Sequence, residues 1–488
     1  MELLPLIPPF VALVLILWTR QAALSLAVAV ITGVLLIHSG NPISASRALF
    51  EEHLFPVISG AWNLSALLFT LTLGAFATVL EKSGGFTVLL HRLLNKNSTN
   101  PQKKLLFGIY GLGLLCFFDG LANAVLLGRI SRPITDSLKI SRQFLAYLID
   151  STSACVACVA FISTWIATQL SLIQEGLKGS QIEAEATSLF FASIPANPYC
   201  LLTLALIPFV IAKSWHPGPM GKATPISSTE IITTNSNQKA RSALIPLAVL
   251  VITLPSIIYL WQDGQQRSWK NAFVSEAVPY AMTAAGIIAL IAACLYFPKE
   301  RRSELPQHTL DGAAILIPAL IILICAWSLG SVMKTLGTAQ LLSDALNGNI
   351  SLAYLPLIVF LLGSIISFLT GTSWGTMGLL MPLVLQTALG FEASPVEITA
   401  ALPLLIGAVF GGAVFGDHCS PFSDTTIVSA LAAGCSPTSH VITQLPYALV
   451  TAGGASIAYL LMALAVPAGI ATLIMIAILT AFVLTRKN

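Results

Sequence analysis

Long apolar runs separated by short polar stretches dominate this chain. Runs at 3–19, 21–38, 62–80, 188–212, 243–261, 277–297, 313–333, 441–464 and 468–485 approach or exceed the ~20 residues that a membrane-crossing helix needs. Four further runs are apolar but interrupted near their middles. In 105–128 the interruption is FFDGLAN, and in 144–175 it is Ser163, Thr164 and Trp165. In 354–388 it is FLTGTSWGTMG, and in 398–434 it falls within GGAVFGDHCSPFSDTTIVSA, residues 411–430. Pro421 lacks a backbone donor and pushes the residue before it away from helical dihedrals. A helix arriving through Phe415 should therefore break over Cys419–Ser423 and restart near Asp424.

The charges in the loops set the expected direction of each crossing. Arg20, then Lys82, Arg92, Lys96, Lys103 and Lys104, then Lys299, Arg301 and Arg302, and finally Arg486 and Lys487, mark inside turns. Glu51, Glu52 and His53, and later Glu175, Glu183 and Glu185, mark outside ones. The N-terminus then lies outside and the C-terminus inside. Leu3–Trp18 lacks the basic leading region of a signal peptide and reads as the first span. An interfacial helix is expected over 86–94.

Both flanks of 105–128 are basic (Arg129, Arg132, Lys139 and Arg142 follow it), and its arms are only about 12 residues long, so it reads as a re-entrant hairpin from the inside. The flanks of 354–388 carry only Asp344, Glu392 and Glu397, which makes it a hairpin from the outside. CFFDGLANAVLLG resembles SFLTGTSWGTMGLL, and AFISTWI resembles SPFSDTTI. The expected fold is thus an all-α polytopic membrane protein of two inverted repeats, each with a re-entrant hairpin and a discontinuous transmembrane helix.

The order predicts N-terminal helices over 1–104 and a first repeat core over 105–212, comprising hairpin 105–128 and broken helix 144–175. A cytoplasmic linker follows over 213–241, then scaffold helices over 242–353. The second repeat core occupies 354–440, with hairpin 354–388 and broken helix 398–434, and C-terminal helices occupy 441–488.

Composition agrees: of 488 residues, 56% are hydrophobic and 9% charged, against about 25% charged in soluble domains. A net charge of +3 is too small to suggest a nucleic-acid partner. The partners expected are the lipid bilayer of the cytoplasmic membrane, sodium and protons, a small organic anion or amino acid as an option, and a homodimer as an open arrangement. Eight cysteines are scattered, and Cys155 and Cys158 read as packing residues. No cofactor is expected.

Within the expected spans, the ionisable groups are Asp119, Asp150, Asp417, His418 and Asp424, and the other 17 of 21 acids lie in loops or ends. A charge at the bilayer centre costs about 2.5–3.5 kcal/mol on insertion scales, so something must offset it. Oxygen ligands without thiolate or paired imidazole suit a hard cation. Asp417 and Asp424 are the candidate sodium ligands, with Asp424 alternatively capping the restarted helix. Asp119 is a candidate ligand or a local cap, and Asp150 is a proton site or a carboxylate held by hydroxyls. His418 is a hydrogen-bonded core residue or a pH sensor. Asn123, Ser163, Thr164, Thr372, Ser373, Ser420, Ser423 and Thr425 offer side-chain oxygens at the breaks, and Trp165 and Trp374 stand beside them as packing or gate residues. Sodium and protons competing for the same oxygens would give exchange directly.

At GDHCSPFSDTTIVSA the chain resembles the NhaC family of sodium/proton antiporters, in the ion transporter superfamily. The likeness extends through GTSWGTMGLLMP and the block from FFDGLANAVLLGRIS to AFISTWI, covering about 105–212 and 354–450. The resemblance implies sodium/proton exchange; related members move carboxylates such as malate and lactate, or amino acids. This chain departs at the first hairpin tip, where Gly120 replaces a second aspartate and Leu121 an aromatic common among relatives.

Sodium/proton antiport is the first expectation, and a sodium- or proton-coupled transporter of a small carboxylate or amino acid the second. No arginine lies in an expected span to meet an anion, which favours the cation. A hydrolase using Ser420, His418 and Asp417 is disfavoured, because adjacent helical residues point about 100° apart. The chain is not expected to be an enzyme.

Overall fold

The computed structural model describes residues 3–19, 21–93, 100–178, 184–225, 239–262, 267, 278–346, 349–421 and 423–486. Arg20, Lys96, Glu183, Lys487 and positions 226–238 of the expected linker lie outside the described residues. Every regular element among the described residues is helical. Eight helices are long and apolar enough to cross a membrane, and two bent pairs raise the number to as many as 10. The chain is an integral, multi-pass membrane protein.

Four motifs form the core. The first hairpin comprises Pro101–Leu115 and Gly120–Ser137, and the second Leu355–Thr370 and Ser373–Leu389. The first broken helix comprises Arg142–Val159 and Thr164–Leu177, bent by 46°, and the second Pro395–Cys419 and Asp424–Ala433. Each of the four restarts is nucleated by a side chain that accepts from a backbone amide of the new helix: Asp119, Ser163, Thr372 and Ser423. Such a cap contributes about 1 kcal/mol and satisfies an otherwise orphaned donor. At the second tip Gly371 adopts φ +68°, a left-handed turn open to glycine without penalty.

The two repeats interlock. Gly120–Ser137 packs on the short half-helix Asp424–Ala433 of the other repeat, and Ser373–Leu389 packs reciprocally on Thr164–Leu177. This exchange of partners is what a two-fold axis in the membrane plane generates. Close approach is built into the sequence at Gly412 and Gly416, spaced four apart on Pro395–Cys419. A Cβ at Gly416 would sit 2.4 Å from Phe368 N and 2.6 Å from Ser364 O, so only glycine lets the second hairpin seat against this helix.

Several boundaries differ from the pattern of apolar runs. The second arm of the first hairpin does not stop at 128 but continues through Arg129, Arg132 and Pro133 to Ser137. The helix tolerates these charges because Arg129 meets Glu81 at 3.3 Å and Arg132 lies over Gly434. The run 188–212 divides into Ala186–Ser193 and Pro198–Lys213, with Asn197 capping the second piece. The stretch around Glu51–His53 is not a loop but a folded turn of helix, in which buried His53 meets Ser331 at 2.9 Å. Of the five ionisable groups expected inside, Asp119, Asp150, Asp417 and His418 are buried and Asp424 is not, and the fold also buries His53, Asp136, Glu175 and His440. Asp136 is paired with Arg142 at 2.8 Å and Glu175 with Lys178 at 2.5 Å, as buried charges require.

Candidate functional site

The last turn of Pro395–Cys419 carries Asp417, which is 0% exposed. Because the chain leaves the first helix at Ser420 and enters the next at Ser423 in extended dihedrals, the next half-helix begins beside that carboxylate instead of beyond it. Ser423 caps the new helix by accepting from Thr426 N–H, and its hydroxyl donates to Asp417 Oδ1. Thr425 Oγ1 donates to Asp417 Oδ2 at 2.7 Å and lies 3.0 Å from Ser423 Oγ. Thr426 Oγ1 donates to the Asp417 carbonyl at 2.9 Å. Asp424 does not cap the helix; its Oδ1 accepts from the adjacent Thr425 N–H at 2.9 Å, and the residue is exposed. One buried and one open carboxylate thus flank the break, with hydroxyl oxygens between them.

Asp150, on Arg142–Val159, is 0% exposed and faces the same half-helix. It accepts from Ser429 at 3.1 Å and from Thr426 at 3.5 Å. From the neighbouring helix Pro437–Ala463 it accepts Gln444 Nε2 at 2.6 Å and meets His440 Nε2 at 3.3 Å. Gln444 Nε2 also donates to the His418 carbonyl at 2.9 Å, and His418 Nδ1 meets the Tyr199 hydroxyl at 2.9 Å. His418 is therefore engaged by tyrosine, not aligned with a serine as a hydrolase would need.

The first break forms a second cluster. Asp119 is the cap of Gly120–Ser137, accepting from Ala122 N–H at 2.6 Å, and its other oxygen accepts from Thr164 at 2.8 Å. The Thr164 amide donates to the Phe118 carbonyl at 2.9 Å, tying hairpin tip to broken helix. Ser163 caps Ile166 and donates to the Ala157 carbonyl at 2.8 Å. Asn123 Nδ2 donates to the Gly113 carbonyl at 2.9 Å, while its buried Oδ1 has no partner in the structure. Thr372 caps Gly375 at 3.1 Å, and Ser373 Oγ is buried without a partner. Trp165 and Trp374, with ring centroids 6.1 Å apart, join this cluster to the second hairpin tip. No hydrogen bond joins Asp119, Asn123, Thr372 or Ser373 directly to Asp417, so the expected site residues divide into two groups.

Among the described residues, no three His, Cys, Asp or Glu side chains are grouped as a metal centre. The second break instead offers carboxylate, hydroxyl and helix-end carbonyl oxygens, the donor set of a hard monovalent cation held for passage.

The profile of the Na+/H+ antiporter family matches residues 156–464. The chain belongs to this family. An uncharacterized protein of Haemophilus influenzae is 31% identical over 474 residues, 93% of this chain and 90% of that one. The malate-2H+/Na+-lactate antiporter of Bacillus subtilis is 29% identical over 175 residues, 35% of each chain. Among solved structures, the YdaH transporter of Alcanivorax borkumensis, described as having an unusual topology, superposes with a TM-score of 0.61. It is 17% identical, over 87% of this chain and 90% of that one. MtrF of Neisseria gonorrhoeae, described within a class of antimetabolite efflux pumps, gives 0.57 at 16% identity, over 87% and 84%. At these identities the two structures establish the fold. Family and fold together make this protein a secondary transporter.

Three features of this antiporter escaped the sequence. His440 and Gln444 stand one turn apart on one helix face and supply two of the partners of Asp150; that i, i+4 spacing was the available signal. Arg129 and Arg132 lie on the continuation of the hairpin arm Gly120–Ser137, past the expected end of that arm at 128. Arg129, Glu81, Lys82, His308 and Asp311 also line a cavity of about 270 Å³ that reaches down to Asp119.

Proposed function

We propose that the protein exchanges sodium for protons across the cytoplasmic membrane by alternating access, with its N-terminus outside and its C-terminus inside. The observation that carries this reading is Asp417, a fully buried carboxylate held across a helix break by the hydroxyls of Ser423 and Thr425, next to the open carboxylate of Asp424. Asp417, Asp424, Ser423, Thr425 and the carbonyl end at Ser420 are the proposed sodium ligands. Buried negative charge is costly in a membrane, and a bound cation offsets it, so sodium carried one way is balanced by protons carried the other as the protein faces alternate sides. The basic residues Lys103, Lys104, Lys139 and Arg142, all beside the first hairpin, support placing that end in the cytoplasm.

Proteoliposomes loaded with a pH-sensitive dye test this reading. A sodium gradient imposed with no organic solute present should drive counter-movement of protons. Flux that arises only after a small carboxylate or amino acid is added would replace this reading with solute-coupled transport.

A further inference from the structure

We propose that His440 and Asp150 form a proton-binding site separate from the sodium site, and that exchange arises from electrostatic linkage between the two instead of competition for the same oxygens. The inference rests on the sodium reading above and assigns its proton.

Asp150 and His440 are both 0% exposed and 3.3 Å apart. The direction of the Gln444 hydrogen bonds beside them is fixed. Gln444 Nε2 faces two obligate acceptors, the Asp150 carboxylate at 2.6 Å and the His418 carbonyl at 2.9 Å, so its amide group must be turned with NH2 toward them. Asp150 then receives donors from Gln444 and Ser429 whatever the histidine does, and these hydrogen bonds favour its ionised form. Asp150 stays the anion of the pair. Facing an ionised carboxylate, the neutral imidazole is favoured with its hydrogen on Nε2, toward Asp150, which leaves Nδ1 as a lone-pair nitrogen. That atom is buried and has no partner in the structure. A proton adding at His440 Nδ1 creates an imidazolium bonded to a carboxylate and takes the pair from net −1 to neutral; its departure restores the charge.

The groups that face this pair do not replace the histidine. Arg142–Val159 contributes Asp150, and at its far start Arg142, already bonded to Asp136 and the Gly434 carbonyl. Asp424–Ala433 contributes the hydroxyls of Thr426 and Ser429. The second broken helix contributes Cys419 and His418, the latter engaged by Tyr199. The link to the sodium site is Thr426, whose hydroxyl lies 3.5 Å from Asp150 Oδ2 and donates to the Asp417 carbonyl at 2.9 Å. A negative pair attracts a cation to Asp417 and Asp424. A neutral pair withdraws that attraction, and by reciprocity sodium lowers the affinity for the proton.

Binding of radiolabelled sodium to the purified full-length protein tests this. Measurements run from about pH 6 to about pH 8.5, across the ordinary histidine range. Wild-type affinity should weaken as pH falls, by less than tenfold per unit and by about 5–150-fold in all, and level off on the acid side, as for a proton linked to the sodium site without competing for its oxygens. His440→Gln should still bind sodium but with affinity constant to about twofold over the range. His440→Arg, with a permanent charge, should bind weakly at every pH, and it serves should the glutamine variant fail to fold. A steep profile retained in His440→Gln, or tight alkaline binding in His440→Arg, overturns the separate proton site while leaving sodium exchange standing. A wild type that binds no sodium at any pH overturns both.

Discussion

Asp417 and Asp424 are separated by one helix break, yet the structure gives them opposite environments, and substitutions should expose the difference. Asp424 is open and bonds only to the amide of its own neighbour, so Asp424→Asn should fold normally. It should nonetheless abolish sodium-dependent exchange in proteoliposomes; wild-type flux would remove Asp424 from the ion path. Asp417→Ala is expected to cost stability as well as transport. It removes both acceptors of the buried Ser423 and Thr425 hydroxyls, and since these lie 3.0 Å apart and can bond each other, one donor is left stranded, at about 1–3 kcal/mol. A fluorescence-monitored thermal melt in detergent, run on both variants, separates the outcomes: Asp424→Asn should melt with the wild type and Asp417→Ala well below it.

Among the helices, Pro395–Cys419 is the one whose packing most depends on small residues. Gly416→Ala places a methyl group 2.4 Å from the Phe368 amide nitrogen, a backbone atom that cannot turn aside. It should lower the melting temperature and the yield of folded protein. Gly453, on Pro437–Ala463, has nothing within 4 Å of its missing Cβ. Gly453→Ala should therefore be neutral or stabilising by up to about 1 kcal/mol, through helix propensity alone. A melt in which both variants behave alike would show that close packing is not what seats the second hairpin.

The same local rules explain what could be read from the chain and what could not. Pro421 announces its break, and the polar islands FFDGLAN and FLTGTSWGTMG announce the hairpin tips, because each interruption is written in adjacent residues. His440 was lost because the apolar run begins at 441, whereas Ser436 caps the helix a turn earlier and draws His440 into it. The arm to Ser137 outruns the apolar pattern, which stops at Arg129, because the residue that pairs with this charge, Glu81, lies 48 residues away. The capping of the restarted helix by Ser423 instead of Asp424 turns on a single residue of register. The pairing of Asp150 with a second helix is a long-range fact that no local pattern carries.

At the scale of the molecule, neither repeat is complete alone. The second arm of each hairpin rests on the short half-helix of the other repeat, and Trp165 meets Trp374 between them. Separating the chain within 213–241 should therefore give two pieces that transport when produced together and fail when produced singly. Transport by either piece alone, measured in the same flux assay, would contradict the interlocked arrangement.

The side chains that hold Asp150 are spaced 276 to 294 positions further along the sequence. At about 5–20 residues per second, the ribosome delivers them roughly 15–60 s after Asp150 itself has been made. For that interval the nascent first repeat carries a carboxylate with none of its eventual donors yet synthesised, so the insertion machinery must shelter it in water or in its own polar interior until the last third of the polypeptide arrives.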